Sequence, residues 1–411
     1  MDTELERRLA ASGAVVIEGP KACGKTETGR RHSASEVLLD VDANARQAVA
    51  VAPATVLDGP TPRLLDEWQT VPAIWNHVRR AVDERKDPGQ FILTGSAVPA
   101  DDVTRHTGAG RLSRLRMRTL SLYEMGYSSG AVSLQRLFEG GAADAVPDPG
   151  ATLEDVTRLL VRGGWPGMLE ADDAVAAEGV VAYLDEVCRI DVSRVDEIRR
   201  DPEGVRRLTR SLARNVGTPV KITNLAADAG DADGPLSRDA VAEYLRALER
   251  LMIVEDQPAW APHLRSRSRL RSTAKRHFSD PSLAVAALGA TPRRLLGDLN
   301  YLGLLFESLV VRDLRVYAQP LRGRVLHYRD NTGLEADAVV ELPDGRWVAC
   351  EVKLGGVEAI DEAAATLSTL AERVDTSRCG DPAALVVVVA TGYGYRRDDG
   401  VLVCPIVSLG P

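Results

Sequence analysis

The sequence predicts an α/β protein in three parts: an N-terminal domain on a parallel sheet, a helical middle and a C-terminal α/β domain. Three observations carry this. The run Gly19-Pro20-Lys21-Ala22-Cys23-Gly24-Lys25-Thr26 directly follows the apolar stretch Ala14-Val15-Val16-Ile17, which gives a strand, a glycine-containing phosphate loop and a helix start in that order. Two further short apolar strands end in polar chemistry, at Asp66-Glu67 and at Thr94-Gly95-Ser96. Strands separated by helical segments such as Ala73 to Glu84 belong to parallel sheets, with ligands at the strand carboxyl ends. Downstream, Glu335 to Leu342 and Arg346 to Gly355 flank Pro343-Asp344-Gly345, the pattern of a β-hairpin with a tight turn.

Composition sets the limits. A chain of 411 residues, 45% hydrophobic, accommodates two or three domains with ordinary buried cores. No apolar run approaches the roughly 20 residues that span a bilayer, and the polar start MDTELERRLA lacks a signal-peptide core. A cytoplasmic location without a membrane partner is expected. The net charge of -8 argues against coating nucleic acid with the whole chain, so any polyanion contact must be a local patch. Cys23, Cys188, Cys350, Cys379 and Cys404 are scattered without paired spacing, as reduced core thiols are.

Phosphate binding explains the first loop. Its backbone amides curl around a β-phosphate, a lysine reaches the β/γ oxygens and a hydroxyl ligates Mg²⁺; Lys25 and Thr26 hold the last two places. ATP and Mg²⁺ are the expected cofactors, contacted by Gly19, Pro20, Lys21, Ala22, Cys23, Gly24, Lys25, Thr26 and Glu27. Pro62 to Leu65 then runs into Asp66-Glu67-Trp68-Gln69. Asp66 suits the Mg²⁺ shell, and Glu67 suits orienting or deprotonating the attacking water. An acidic helix start would explain these acids alone but not the matching loop. Thr94 or Ser96, at the next strand end, is placed to sense the γ-phosphate. Arg111, after Gly110, is read either as neutralising γ-phosphate charge, within its own subunit or across an interface, or as a solvated arginine on a strand's polar face.

Gly140 to Gly150 is small and turn-rich, as linkers are. Val205 to Asn215, Ile222 to Ala229 and Ser237 to Leu251 read as three helices before the strand Met252-Ile253-Val254, an order that resembles a winged helix. The last helix mixes Arg238, Arg246 and Arg250 with Asp239, Glu243 and Glu249, so it lacks a strongly basic reading face. The clearest basic tract is Arg265, Arg267, Arg269, Arg271, Lys275 and Arg276. It suits DNA or RNA phosphates, and equally a solvated loop.

Pairing of the C-terminal hairpin symmetrically about Asp344 sets Asp337 opposite Glu351 and Glu335 opposite Lys353, with Ala336, Ala338, Val340, Val348, Cys350 and Val352 on an apolar face. Two opposed carboxylates need a cation, and a divalent ion would supply it. Ala384 to Val389 suits the buried centre of a mixed sheet.

The order phosphate loop, LLDEWQ, FILTGS, Gly110-Arg111 and Thr119 to Glu124 resembles the bacterial and archaeal AAA-type P-loop ATPases that carry a C-terminal domain of unknown function (DUF4143). The resemblance runs through Gly163-Gly164-Trp165-Pro166-Gly167 and Lys275-Arg276-His277-Phe278-Ser279-Asp280 to Glu351-Val352-Lys353. It implies a P-loop AAA-type ATP-binding domain (1–140), a helical and winged-helix region (151–275) and a restriction-endonuclease-like domain (276–411). Carried over by position, Gly24, Lys25, Thr26, Asp66 and Glu67 become the nucleotide site. The D…ExK arrangement resembles that of nucleases in which two acids hold Mg²⁺ and a lysine assists water attack. That resemblance makes Asp337 and Glu351 metal ligands and Lys353 the catalytic assistant, with Glu307 as the helical acid and Glu335 as its competitor. Cys23 and Thr119 depart from the usual small aliphatic residue and proline. The expected function is a Mg²⁺-dependent ATPase that switches its C-terminal module. A nucleotide-gated regulator without turnover and a metal-dependent nuclease stay open, as do a protein partner or a homo-oligomer.

Overall fold

The computed structural model describes residues 1–97, 107–141, 145–196, 198–231, 234–262 and 273–411. These form two compact units. One comprises Met1–Thr119, Arg189–Arg200 and Leu245–Ile253, and the other Leu120–Cys188, Asp201–Tyr244 and Val254–Pro411.

The first unit is built on five parallel strands, β1 (Ala14–Glu18), β2 (Ser35–Leu38), β3 (Arg63–Asp66), β4 (Phe91–Gly95) and β5 (Leu112–Arg116), in the order β2-β3-β4-β1-β5. Central strands of such a sheet are covered on both faces and therefore read as continuous apolar runs; Ala14 to Ile17 and Phe91 to Leu93 are fully buried. Alternate residues serve opposite faces. Val16, Leu65 and Leu93 pack with Trp68, Trp75 and Val78, two of which come from the Ile74–Arg85 helix. Val15, Ile17, Leu64 and Ile92 pack with Leu5 and Leu9, one turn apart on the Asp2–Ala11 helix.

The second unit carries a mixed seven-stranded sheet in the order Arg324–Arg329, Glu335–Glu341, Trp347–Lys353, Ala384–Val389, Leu402–Pro405, Gly394–Arg396 and Ala145–Val146. The expected hairpin register holds, with Ala338 opposite Cys350 and Val340 opposite Val348. Val386 to Val389 are buried between parallel neighbours, as the apolar run predicts. Two details differ from the sequence expectation. The turn-rich 140–150 segment contributes an edge strand, Ala145–Val146. The hairpin's second face is not simply a charged one: Val339, Trp347 and Ala349 pack against Ala363, Ala364 and Leu367 of the Val357–Arg373 helix. Along the chain between the edge strand Ala145–Val146 and the rest of this sheet come the helices Pro202–Arg214, Ile222–Asp228 and Arg238–Arg250, then the antiparallel pair Val254–Gln257 and Lys275–Phe278.

A buried charge network ties distant segments of this unit together. Arg312, on the Leu299–Ala318 helix, bonds Asp280 at 3.0 Å and Asp313 at 2.7 Å, with all three side chains buried. Asp280 also accepts from the Gly164 amide at 2.9 Å, and Asp313 from the Leu122 amide at 3.0 Å. Only glycine fits at 164, since a Cβ there would lie 2.1 Å from the Leu120 carbonyl oxygen. The segments around Gly164, Asp280 and Leu122 are thus held by one guanidinium. Removing one partner of a buried pair strands the others. Arg312→Met is expected to cost about 3–5 kcal/mol of unfolding free energy in urea titrations; an unchanged midpoint and slope would contradict the network's role.

Candidate functional site

Parallel pairing places the carboxyl ends of β1, β3 and β4 side by side, with Glu18 beside Gly95 and Leu65 beside Leu93. The loop Gly19 to Gly24 leaves β1 there and enters the Lys25–Arg31 helix. Glycine is required at two points. A Cβ at Gly19 would lie 2.4 Å from the Met117 carbonyl oxygen, and Gly24 takes a left-handed conformation (φ 99°). Its helix N-terminus offers unpaired amides for an anion. Lys25 is buried and its ammonium donates to the Pro20 carbonyl at 2.7 Å. Cys23 is fully buried. Burial pushes its thiol up, outweighing the opposing effects of Lys25 and Arg116.

Thr26 and Asp66 meet across the sheet, the Thr26 hydroxyl donating to Asp66 Oδ1 at 2.8 Å. Thr94 Oγ1 also donates to that carboxylate oxygen and accepts the Glu67 amide at 3.3 Å. Glu67 sits just past β3 in a left-handed conformation (φ 52°), sparsely populated for a residue with a side chain. Its Oε2 accepts from Ser96 Oγ at 3.1 Å and from Gln69 Nε2. Gln69 Nε2 lies 3.2 Å from Ser96 Oγ. The two hydroxyls therefore divide the work, Thr94 on Asp66 and Ser96 on Glu67. A hydroxyl and a carboxylate at the loop's helix start form a fitting donor set for Mg²⁺ beside a nucleotide.

One expected member falls elsewhere. Arg111 precedes β5, and β5 runs parallel to β1 with Leu112 beside Ala14. Arg111 is therefore at the amino end of the sheet, opposite the loop, and it pairs with Asp83 at 2.8 Å. The Glu27 side chain is exposed and lies 3.6 Å from Arg30 and from Arg31. Lys21 and Ala22 are exposed, and Lys21 bonds Asp191 at 2.6 Å. Gln69 and Asp191 are partners that sequence reasoning missed. The DEWQ pattern gives Gln69 no role of its own, and no sequence spacing links Asp191 to a loop 170 residues away.

In the second unit, Glu307, Asp337, Glu351 and Lys353 come together, joined by Lys275. The Lys275 ammonium donates to Glu307 Oε1 at 2.7 Å and to Asp337 Oδ1 at 3.5 Å. Asp337 Oδ2 accepts the Val352 amide at 2.9 Å, and Lys353 donates to Glu351 Oε2 at 3.0 Å. Burial, then the neighbouring Asp337 charge, holds the carboxyls of Glu307 and Glu351 above their ordinary range. Burial alone would lower Lys275, but Glu307 and Asp337 outweigh it and keep the ammonium well above its usual range. Glu335 does not compete for this cluster. It pairs with Arg329 at 3.0 Å on the adjacent strand rather than with Lys353. Among the described residues, no group of three or more His, Cys, Asp or Glu side chains is arranged to hold a metal ion; Glu307 and Asp337 instead meet the Lys275 ammonium, and Glu351 meets Lys353.

The basic tract is correspondingly reduced. Lys275 is buried in the cluster, and Arg276 lies 3.4 Å from Asp256 and donates to the Val220 carbonyl at 2.9 Å. Both are thus engaged within the unit instead of displayed to phosphates; Arg265, Arg267, Arg269 and Arg271 lie outside the described residues. Among the described residues, no helix is long and apolar enough to cross a membrane.

Sequence comparison with known families agrees with the loop. Residues 11–126 match an AAA domain, as the resemblance implied. Residues 153–294 match one domain of unknown function (DUF8612) and 302–409 another (DUF4143), the latter as the resemblance implied. An uncharacterized protein of Mycobacterium bovis and one of Mycobacterium tuberculosis are each 26% identical over 358 residues, covering 85% of this chain and 72% of theirs. Among solved structures, a Walker-type ATPase of Pyrococcus abyssi aligns with a TM-score of 0.45 at 13% identity, over 70% of this chain and 94% of its own. A DNA replication initiation factor aligns with a TM-score of 0.27 at 16% identity, over 60% and 85%.

Because Arg111 lies at the far end of β5 from the loop, Arg111→Ala is expected to leave the chain's ATP affinity within about twofold of wild type, as loss of an exposed ion pair does. Equilibrium titration with a fluorescent ATP analogue checks this, and a tenfold loss would contradict the placement.

Proposed function

We propose that this chain is a Mg²⁺-dependent ATPase whose hydrolysis cycle switches its C-terminal domain. The observation that carries the reading is the hydrogen bond between Thr26 and Asp66, because it brings the hydroxyl at the start of the loop's helix and the strand-end acid to one point. The loop amides and the helix N-terminus cradle the phosphates. Lys25 exchanges the Pro20 carbonyl for the β/γ oxygens. Thr26 and Asp66 would hold Mg²⁺, and the ion would supply positive charge beside the transferring phosphoryl group.

Glu67 orients the attacking water and accepts its proton. Its carboxylate is engaged by Gln69 and Ser96, so turnover requires Glu67 to exchange these partners for water. That exchange offers a point at which the rest of the chain controls hydrolysis. It also favours low basal turnover over a continuously active enzyme.

Phosphate release from wild type should depend on Mg²⁺ and fall about 10²-fold or more in Glu67→Gln, the range for loss of a positioned general base. Lys25→Ala should lose ATP binding itself. Unchanged release in both variants would overturn the assignment.

A further inference from the structure

The C-terminal acids are supplied with a cation by the chain itself. Glu307 comes from the Leu299–Ala318 helix, and Asp337 and Glu351 from adjacent strands. Lys275 comes from none of these elements. It belongs to the separate antiparallel pair Val254–Gln257 and Lys275–Phe278, where it sits opposite Gln257. It falls within the span matching DUF8612, whereas the three acids fall within the span matching DUF4143.

The strand pair is fixed to the sheet with little freedom. Gln257, fully buried, donates through Nε2 to the carbonyls of Leu326 at 3.1 Å and Asp337 at 2.9 Å. Its Oε1 lies 2.9 Å from His277 Nε2, whose ring partner Nδ1 lies 3.1 Å from Ser308 Oγ. Ser308 is the neighbour of Glu307 on the helix. The same two strands that carry Lys275 are therefore bonded both to the backbone of Asp337 and to the residue beside Glu307.

We propose that Lys275 is the resident cation of this cluster, standing where a divalent metal would need to bind and keeping the acids of Glu307, Asp337 and Glu351 free of one. Mg²⁺ and Mn²⁺ require carboxylate oxygens converging at close to 2 Å around an otherwise open point. Here the ammonium bridges Glu307 and Asp337, the second Asp337 oxygen receives the Val352 amide, and Lys353 holds Glu351. Each acid already has its partner. The cluster then clasps one domain to the next and does not bind a metal to cleave nucleic acid. Lys275 is the cation shared by two of the three acids, so its neutralisation exposes a latent divalent-cation site. This inference is independent of the ATPase reading.

Mn²⁺ binding to the full-length, nucleotide-free chain, followed by electron paramagnetic resonance, tests it. Wild type and Glu351→Gln should bind Mn²⁺ alike, since the cluster contributes no site. Lys275→Gln should gain one site, roughly tenfold or more tighter than anything in wild type, a change of the size that supporting groups exert on metal affinity. The double variant Lys275→Gln, Glu351→Gln should lose it again. Loss of a wild-type Mn²⁺ site in Glu351→Gln overturns the proposal, as does a folded Lys275→Gln that gains none. Should Lys275→Gln fail to fold, the comparison of wild type with Glu351→Gln decides alone, equal binding supporting the proposal and loss overturning it.

Discussion

Parallel pairing of β1 with β4 and of β4 with β3 is the constraint on which the nucleotide site depends. In a parallel sheet every strand delivers its carboxyl end to the same edge. Loop, acids and hydroxyls that lie far apart in the chain therefore converge without any direct contact having to select them. Burial fixes this register. Val15, Val16 and Ile17 on one strand and Ile92 and Leu93 on its neighbour are fully enclosed, so a one-residue slip would send each side chain into the opposite core and disrupt the packing of both. The polar chemistry at the edge is thus positioned by apolar packing beneath it.

The same constraint keeps Arg111 away from the loop of its own chain. Since β5 also runs parallel to β1, a residue that precedes β5 must lie at the edge away from the loop. Strand identity alone was insufficient here; direction decided which end of the strand faces the nucleotide. Arg116, at the carboxyl end of β5, lies on the loop side and influences the Cys23 thiol.

Legibility of the sequence follows from how local each interaction is. Lys25 and Thr26 open the helix after the β1 loop and Asp66 and Glu67 lie at the end of β3, and each pair stood out because it belongs to a fixed local pattern. The hairpin register around Asp344 was readable because a short turn leaves few alternatives. Partners joined only by tertiary packing were not. Gln69 holds Glu67 through a turn that places its side chain back over its neighbour, and Lys275 reads as one more basic residue until the fold buries it against Glu307. The Gly164 and Asp280 segments drew attention as family features, yet their reason is the single guanidinium of Arg312. A buried cation is invisible in a charge pattern, which treats every lysine and arginine as solvated.

The meeting of Thr26 with Asp66 is the central claim, and the Mg²⁺ dependence of ATP affinity tests it most directly. Isothermal titration of wild type, Thr26→Ala and Asp66→Asn with ATP, each with and without Mg²⁺, isolates the metal's contribution from that of the loop. The account predicts that Mg²⁺ tightens ATP binding in wild type and that either substitution abolishes this gain while retaining metal-free binding. An undiminished gain in both variants would contradict it.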